Sequence, residues 1–447
     1  MFYLWLSVLI CGSKMFLLIK NATIVNADQM AERPRDILLE NGVITKIAPG
    51  LSLPNVPTID AKDKYVLPGL IDLHVHLREP GREDKETIET GSKAAVKGGF
   101  TTIMCMPNTN PVIDHAMIVE AILKEAERIG LVNVFPVGAI TRGQKGEELV
   151  DMFELKEAGC LALSDDGKTL ASSQLMRLAF QYAKMTGLLL IQHCQDPLLM
   201  GMGVMNEGRV STLLGLKGDP EVSETVIVAR DIELARYLNT RIHFAHMSSR
   251  RSVELIRWAK SQGIQVTAEV GPHHFTLTEE AVKTFDTSTK VNPPLRTKED
   301  VAALKEGLCD GTIDCIASDH APHTEEDKEA DFDHAPFGMI GLETSLGLAV
   351  TELIATKILS WPQLVNKMST APAHIVGLKN KGKIAEGFDA DITIINPEEA
   401  WTVRREDFLS KARNSPFIGY QLKGRVKTTI RAGKIVYDNT APDVTSG

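Results

Sequence analysis

Apolar residues along this chain fall into two regimes. Near both ends they form short runs broken by turn chemistry, the pattern of small antiparallel strands. The N-terminal set is Phe16 to Val25, Asp36 to Glu40 and Val43 to Ile47, the last two joined by Asn41-Gly42, a strong hairpin signal. The pattern returns at Ala390 to Ile395, Lys427 to Ile430 and Lys434 to Tyr437, with Arg431-Ala432-Gly433 between the last two. Strand-rich ends around a different middle predict one small β domain built from both termini.

From Val66 to about Leu378 apolar strands are followed by stretches of helical period. Candidate strands are Gly69 to Leu77, Thr101 to Met106, Val132 to Ile140, Cys160 to Ser164, Leu188 to His193, Arg241 to His246, Gln265 to Val270 and Asp314 to Ser318. Helical stretches include Ala116 to Ile129, Ser172 to Met185, Glu221 to Leu238, Arg251 to Gln262 and Val301 to Gly307. Strands alternating with helices predict an α/β protein: a (β/α)8 TIM-type barrel with a small β-sandwich domain formed from both chain ends. The expected division is a leader at 1–14, β domain at 15–65 and 381–440, barrel at 66–380 and tail at 441–447.

The first barrel strand runs into Leu73-His74-Val75-His76-Leu77-Arg78. Side chains at i and i+2 of a strand share a face, so His74 and His76 aim at one place and Arg78 continues their phase. A histidine pair at this spacing is a weak signal, and its plain reading is packing. The barrel changes that reading, because its chemistry gathers at the C-terminal strand ends. Those ends carry His74, His76 and Arg78, then Pro107-Asn108, Asp165-Asp166-Gly167, His193, His246, His273-His274 and Asp319-His320-Ala321-Pro322-His323. Within this set His74, His76, Asp166, His193, His246 and Asp319 suffice for two divalent ions. Imidazole and carboxylate suit zinc, and two ions need a bridging group such as a carboxylate.

Composition narrows the partners. A net charge of -9 over 447 residues, with no basic stripe, argues against nucleic acid and for a small-molecule substrate. The six cysteines lack C-x-x-C spacing and most lie in apolar runs, as expected of reduced thiols in a cytoplasmic enzyme; Cys194 is assigned to packing. The apolar run from Met1 to Cys11 is too short to span a bilayer and has no basic leader region, so no membrane partner is expected. Met15 opens the first strand, and translation is expected to begin there.

The strand-one motif, His193, His246 and Ser318-Asp319-His320-Ala321-Pro322-His323 together resemble the cyclic amidohydrolases of the amidohydrolase superfamily. More narrowly, His74-Val75-His76-Leu77-Arg78-Glu79-Pro80-Gly81 with Met106-Pro107-Asn108-Thr109 resembles the dihydroorotase family, over about Met15 to Tyr437. The resemblance implies a metallohydrolase with ligands at His74, His76, His193, His246 and Asp319 and two zinc ions per chain. Hydantoinases, allantoinases and one dihydroorotase class bridge their metals with a carboxylated lysine on the fourth strand. Leu161 to Gly167 offers no lysine, Lys168 following the glycine, so the chain resembles the long-chain class that uses an aspartate. Asp166 is assigned as that bridge on alternation phase, and Asp165 as a turn or cap residue.

The activity so implied is reversible cyclisation of N-carbamoyl-L-aspartate to L-dihydroorotate in pyrimidine biosynthesis, with Asp319 as proton shuttle. The implied substrate contacts are His76, Arg78, Asn108, Asn292, His323 and the backbone of Phe337 and Gly338. Arg78 suits a substrate carboxylate, which guanidinium binds bidentately. Asn292 also reads as a turn cap before two prolines, His320 as structural, and His273 and His274 as packing or orienting residues. The acidic stretch Thr324 to Pro336 reads either as a solvated loop or as a mobile lid. The rival readings are a hydantoinase or allantoinase, and a non-catalytic scaffold for aspartate transcarbamoylase. Homodimer formation and association of an active enzyme with that transcarbamoylase stay open.

Overall fold

The computed structural model describes residues 15–439. The expectations for the leader at 1–14 and the tail at 441–447 fall outside those residues.

Five strands come first: β1 (Phe16–Ile24), β2 (Arg35–Glu40), β3 (Val43–Ala48), β4 (Thr58–Asp60) and β5 (Tyr65–Pro68). The barrel strands are β6 (Leu70–Val75), β7 (Phe100–Cys105), β8 (Asn133–Pro136), β9 (Ala162–Ser164) and β10 (Leu189–Gln192), then β13 (Ile242–Phe244), β14 (Val266–Val270) and β15 (Cys315–Ile316). A short parallel pair, β11 (Met205–Asn206) and β12 (Gly218–Asp219), interrupts them. The chain ends on β16 (Ile392–Thr402), β17 (Gln421–Arg431) and β18 (Lys434–Asp438).

The two ends form one sheet in the order β18-β17-β16-β5-β1-β2-β3, with β4 beside β1. The last N-terminal strand, β5, pairs antiparallel with β16, so the two ends are joined strand to strand. Leu17, Ile19, Ile37, Ile44, Val66, Ile392, Ile394 and Ile430 pack into one cluster that this sheet encloses. Asn41 and Gly42 turn the β2–β3 hairpin with φ of 51° and 83°, the left-handed pair such a turn requires. β16 and β17 run longer than the sequence pattern suggests. Their extra residues in β17 alternate Leu422, Gly424 and Val426 inward with Lys423 and Arg425, a half-buried stretch whose long basic side chains mask the period.

All eight expected barrel strands are present and parallel. β6-β7-β8 and β9-β10-β13-β14-β15 form two arcs, closed by bridges between Gly138 and Leu163 and between Val75 and His320. Ile71, Leu73, Met104, Met106, Val137, Leu189, Ile191, Ala245 and Cys315 fill the interior. Helices Ile88–Lys97, Ala116–Ile129, Met152–Ala158, Ser173–Thr186, Val222–Leu238, Arg250–Ser261 and Lys298–Asp310 pack outside. Their starts are fixed locally: Thr87, Asp151, Ser172, Ser249 and Thr297 each cap an N-terminus with a side-chain oxygen. No helix of the described residues is long and apolar enough to cross a membrane.

One local expectation fails. The β6–β7 register slips between Asp72 and Val75, so the period-two phase does not run unbroken through the strand. Leu73 lies in the barrel interior and its neighbour His74 turns into the site, while Val75 packs outward against the helices. β6 then ends, and Arg78 sits beyond it in a left-handed conformation with φ of 62°. Arg78 reaches the site through a loop, not through strand alternation.

Candidate metal centre and substrate pocket

Side chains from five strand ends converge at the top of the barrel. Asp166 is their hub. Its Oδ1 lies 3.3 Å from His74 Nε2, 3.4 Å from His246 Nε2 and 3.5 Å from His193 Nδ1, and its Oδ2 lies 3.5 Å from His76 Nε2. Asp319 Oδ1 lies 3.2 Å from His76 Nε2 and 3.6 Å from His74 Nε2. Tetrahedral ligands bonded to one ion at ~2.0–2.2 Å stand about 3.3–3.6 Å from one another. These separations match those of atoms around a shared cation, and most are longer than a charge-assisted hydrogen bond; His193 Nδ1 and His246 Nε2, at 2.9 Å, stand closer. His74 Nε2 is buried without a hydrogen-bond partner and faces the cluster. The donor set and its spacing fit divalent metal.

Burial alone would raise the carboxyls of Asp166 and Asp319. The facing imidazoles outweigh it and hold both below the usual carboxylate range, so both enter as anions.

Buried groups below and beside the cluster fix its geometry. Glu269, at the end of β14, accepts from His74 Nδ1 at 2.8 Å and from His243 Nε2 at 3.0 Å, and His243 Nδ1 contacts Thr267 Oγ1 at 2.8 Å. Burial raises Glu269, but these two imidazoles prevail and bring it down to about 2. Asp72 accepts the backbone N–H groups of His74 and Ser318, tying β6 to the strand that delivers Asp319. His246 and Asp319 themselves have φ of 33° and 48°, a strained backbone that the packing must hold. Asp165 turns away from the cluster and accepts from the N–H groups of Ile140 and Thr141 and from the Thr141 hydroxyl, binding β8's loop to β9's.

Beside the cluster is a cavity of about 180 Å³. His76, Arg78, Asn108, Asn292, Asp319 and His323 line it, with Phe337 and Gly338. Asn108 Oδ1 contacts His76 Nδ1 at 2.9 Å. Arg78 donates from Nε to the Pro322 carbonyl at 3.1 Å, and its outer nitrogen lies 3.4 Å from His323 Nε2. Burial lowers Arg78 to about 10, which leaves it charged at neutral pH. Gly338 has φ of +127°, and a Cβ there would stand 2.7 Å from the Ala321 Cβ and 3.3 Å from His323 Nε2; this wall has no room for a side chain.

Every residue expected at the site lies in the cluster or on the cavity wall. His320, read as structural, lies off it, held between Glu86 and the Gly341 N–H. His274 bonds the Pro293 carbonyl, and the His273 ring lies tilted against the His274 ring, centroids 4.1 Å apart. Of the Thr324 to Pro336 stretch, residues Glu325–Glu329 are helical and Phe332 is buried against Val204, Met205, Val210 and Val282.

The sequence reading missed Glu269, Asp72, Lys85, Gln195 and Asn414. Gln195 pairs its amide with that of Asn292, at 2.6 and 2.9 Å, and lies 3.4 Å from His193 Nε2. Asn414, from the segment between β16 and β17, accepts the His323 N–H and donates to the carbonyls of Ala321 and Gly338. The only available signal was polarity inside apolar runs, such as Glu269 in Val266–Val270, and that pattern does not name a partner.

Comparison with known proteins agrees with this geometry. A family profile described as "Dihydro-orotase-like" matches residues 63–252, and one described as "Amidohydrolase family" matches residues 299–437. A dihydroorotase of Pelotomaculum thermopropionicum is 53% identical over 422 residues, covering 94% of this chain and 98% of the relative. One of Caldanaerobacter subterraneus is 51% identical over 423 residues, 95% of this chain and 97% of the relative. Among solved structures, the L-hydantoinase (dihydropyrimidinase) from Arthrobacter aurescens superposes with a TM-score of 0.85 at 27% identity, covering 94% of this chain and 96% of that one. The hydantoinase thus shares the architecture at much lower identity, and near-full-length identity of about half places this chain in the dihydroorotase family.

Proposed function

We propose that the chain is a zinc-dependent dihydroorotase that reversibly cyclises N-carbamoyl-L-aspartate to L-dihydroorotate, with two zinc ions per chain bridged by Asp166. His74, His76 and Asp319 would hold one ion, and His193 and His246 the other. Bound divalent ions supply a Lewis acid and an activated water at neutral pH. Arg78, Asn108, Asn292, His323, His76 and the backbone of Phe337 and Gly338 orient the acidic ring so that its scissile carbonyl faces the cluster. Asp319, held ionised, is the proton shuttle: in ring opening it accepts the proton of the attacking water and passes it to the leaving ring nitrogen. In ring closure it takes the proton from the ureido nitrogen.

The observation that carries this reading is Arg78 on the wall beside the cluster. A neutral ring gives a buried guanidinium nothing to pair with, whereas a carboxylate does. Purified protein loaded with zinc should turn over dihydroorotate and carbamoyl aspartate and leave hydantoin and allantoin untouched; preference for a neutral ring would overturn the assignment.

The same proposal divides the chain into a barrel at 66–380 and a β domain at 15–65 and 381–440. It places the enzyme in the cytoplasm, in keeping with Cys105, Cys160, Cys194, Cys309 and Cys315 as free thiols. Homodimer formation and association with aspartate transcarbamoylase are read out by light scattering of the chain alone and mixed with that partner.

A further inference from the structure

His323 stands on the cavity wall with both ring nitrogens engaged. Nδ1 lies 3.0 Å from the Lys85 ammonium, and Nε2 lies 2.8 Å from the Phe337 carbonyl oxygen. An ammonium only donates and a carbonyl only accepts. The two partners therefore require the same tautomer, with Nδ1 bare and Nε2 carrying the proton. The ring is neutral: burial and the nearby charges of Arg78, Lys85 and Lys328 bring its pKa down to about 2.

This tautomer changes the meaning of the Arg78 contact. The outer guanidinium nitrogen lies 3.4 Å from His323 Nε2, and with a proton on Nε2 both atoms are donors. They cannot satisfy each other: the Nε2 proton goes to the Phe337 carbonyl, and the outer Arg78 N–H is left open for an anion. In the opposite tautomer Nε2 would accept from Arg78 and take up that N–H.

Lys85 is built to enforce the choice. It is 7% exposed, and its ammonium is 2.6 Å from Asp327 Oδ2, on the short helix Glu325–Glu329 of the acidic loop. The adjoining Glu86 is anchored by His320, Ser410 and the Lys411 N–H, which fixes the backbone that carries Lys85. One buried cation thus joins the loop after β6, the substrate-side histidine and the acidic loop after β15.

We propose that Lys85 is a positioning residue for substrate: by donating to His323 Nδ1 it keeps the proton on Nε2, where the Phe337 carbonyl takes it, so that His323 cannot cap Arg78 and the outer guanidinium N–H stays open for the ring carboxylate, and through Asp327 it ties the 324–336 loop to that arrangement. The inference rests on the reading of Arg78 as the carboxylate contact.

The test has two readouts on the zinc-loaded enzyme. Long-range proton–nitrogen NMR of histidine-labelled protein, with the His323 signals identified by loss in His323→Gln, should show a bare Nδ1 and a protonated Nε2 in the resting state. Lys85→Met should release that preference, raise KM for carbamoyl aspartate about ten- to hundredfold, the range of a hydrogen bond to a charged group, and leave kcat within about threefold. Lys85→Arg, which keeps a donor, should recover most of the lost affinity. A protonated Nδ1 in the native enzyme overturns the proposal even if the variants do not fold. So does an unchanged tautomer or KM in folded Lys85→Met. The tautomer is read without substrate, so an enzyme inactive on both substrates would refute the proposed function and leave this result to be judged separately.

Discussion

Glu269→Gln is the most informative perturbation of the metal cradle. The native carboxylate gives one oxygen to His74 Nδ1 at 2.8 Å and the other to His243 Nε2 at 3.0 Å. Both rings then donate to it, which leaves the His74 Nε2 lone pair bare for metal. An amide keeps one acceptor and presents an N–H pair where the second was. One ring must lose its bond or change tautomer, and if His74 changes, Nε2 acquires a proton and stops being a ligand. The loss is at least one hydrogen bond to a charged acceptor, about 1.5–3 kcal/mol, or about 10- to 100-fold in metal affinity. The assay is zinc titration of the apoprotein against a chromophoric chelator. Thr267→Val serves as the control at the far end of the chain, removing only the partner of His243 Nδ1, and should cost less than about threefold. Equal zinc affinity for Glu269→Gln and native protein would refute the view that this carboxylate sets the His74 tautomer.

Three further expectations follow from the same geometry. Asp166→Asn should lower bound metal measured by elemental analysis, whereas Asp165→Asn should keep its metal and melt earlier, because Asp165 holds two N–H groups and a hydroxyl; the reverse outcome would reassign the bridge. Arg78→Lys should raise KM about tenfold or more with little change in kcat, since a point charge replaces a planar fork; a fall in kcat alone would place Arg78 in the chemistry instead. Burial raises the Asp231 carboxyl from 3.8 to about 6. The folded chain therefore holds that proton more tightly than the unfolded chain. Its stabilising share is complete below pH 3.8 and is lost as pH rises to about 6, so Asp231→Asn should gain about 1.4 kcal/mol on the native chain between pH 5 and pH 8. Denaturant melts at the two pH values check this, and a constant difference would count against the buried carboxylate.

Much of the architecture was legible because it is written in local periods. The helix Ala116–Ile129 coincides with its expected span, and the Asn41-Gly42 hairpin and the eight barrel strands lie where their apolar runs put them. The metal cluster was legible for a topological reason: a parallel barrel brings all its strand ends to one rim, so a list of those ends is already a list of neighbours. His74, Asp166, His193, His246 and Asp319 could be collected without coordinates.

Other features have no local signature. The register slip in β6 is set by pairing with β7, so the phase argument for Arg78 held only as far as the strand. Glu269 and Asp72 read as oddities in apolar strands until their partners on other strands are known. Lys85 is one of several charges between Arg82 and Glu89 in the sequence; its burial and its contacts with His323 and Asp327 come from segments about 240 residues away, brought together by barrel closure. The sequence alone therefore determined the elements, the barrel and the residues able to hold metal, because period and strand order suffice for these. Only the tertiary structure decided which buried groups fix tautomers and orient the ligands, because hydrogen bonds between distant segments depend on ångström-scale placement that no local pattern encodes.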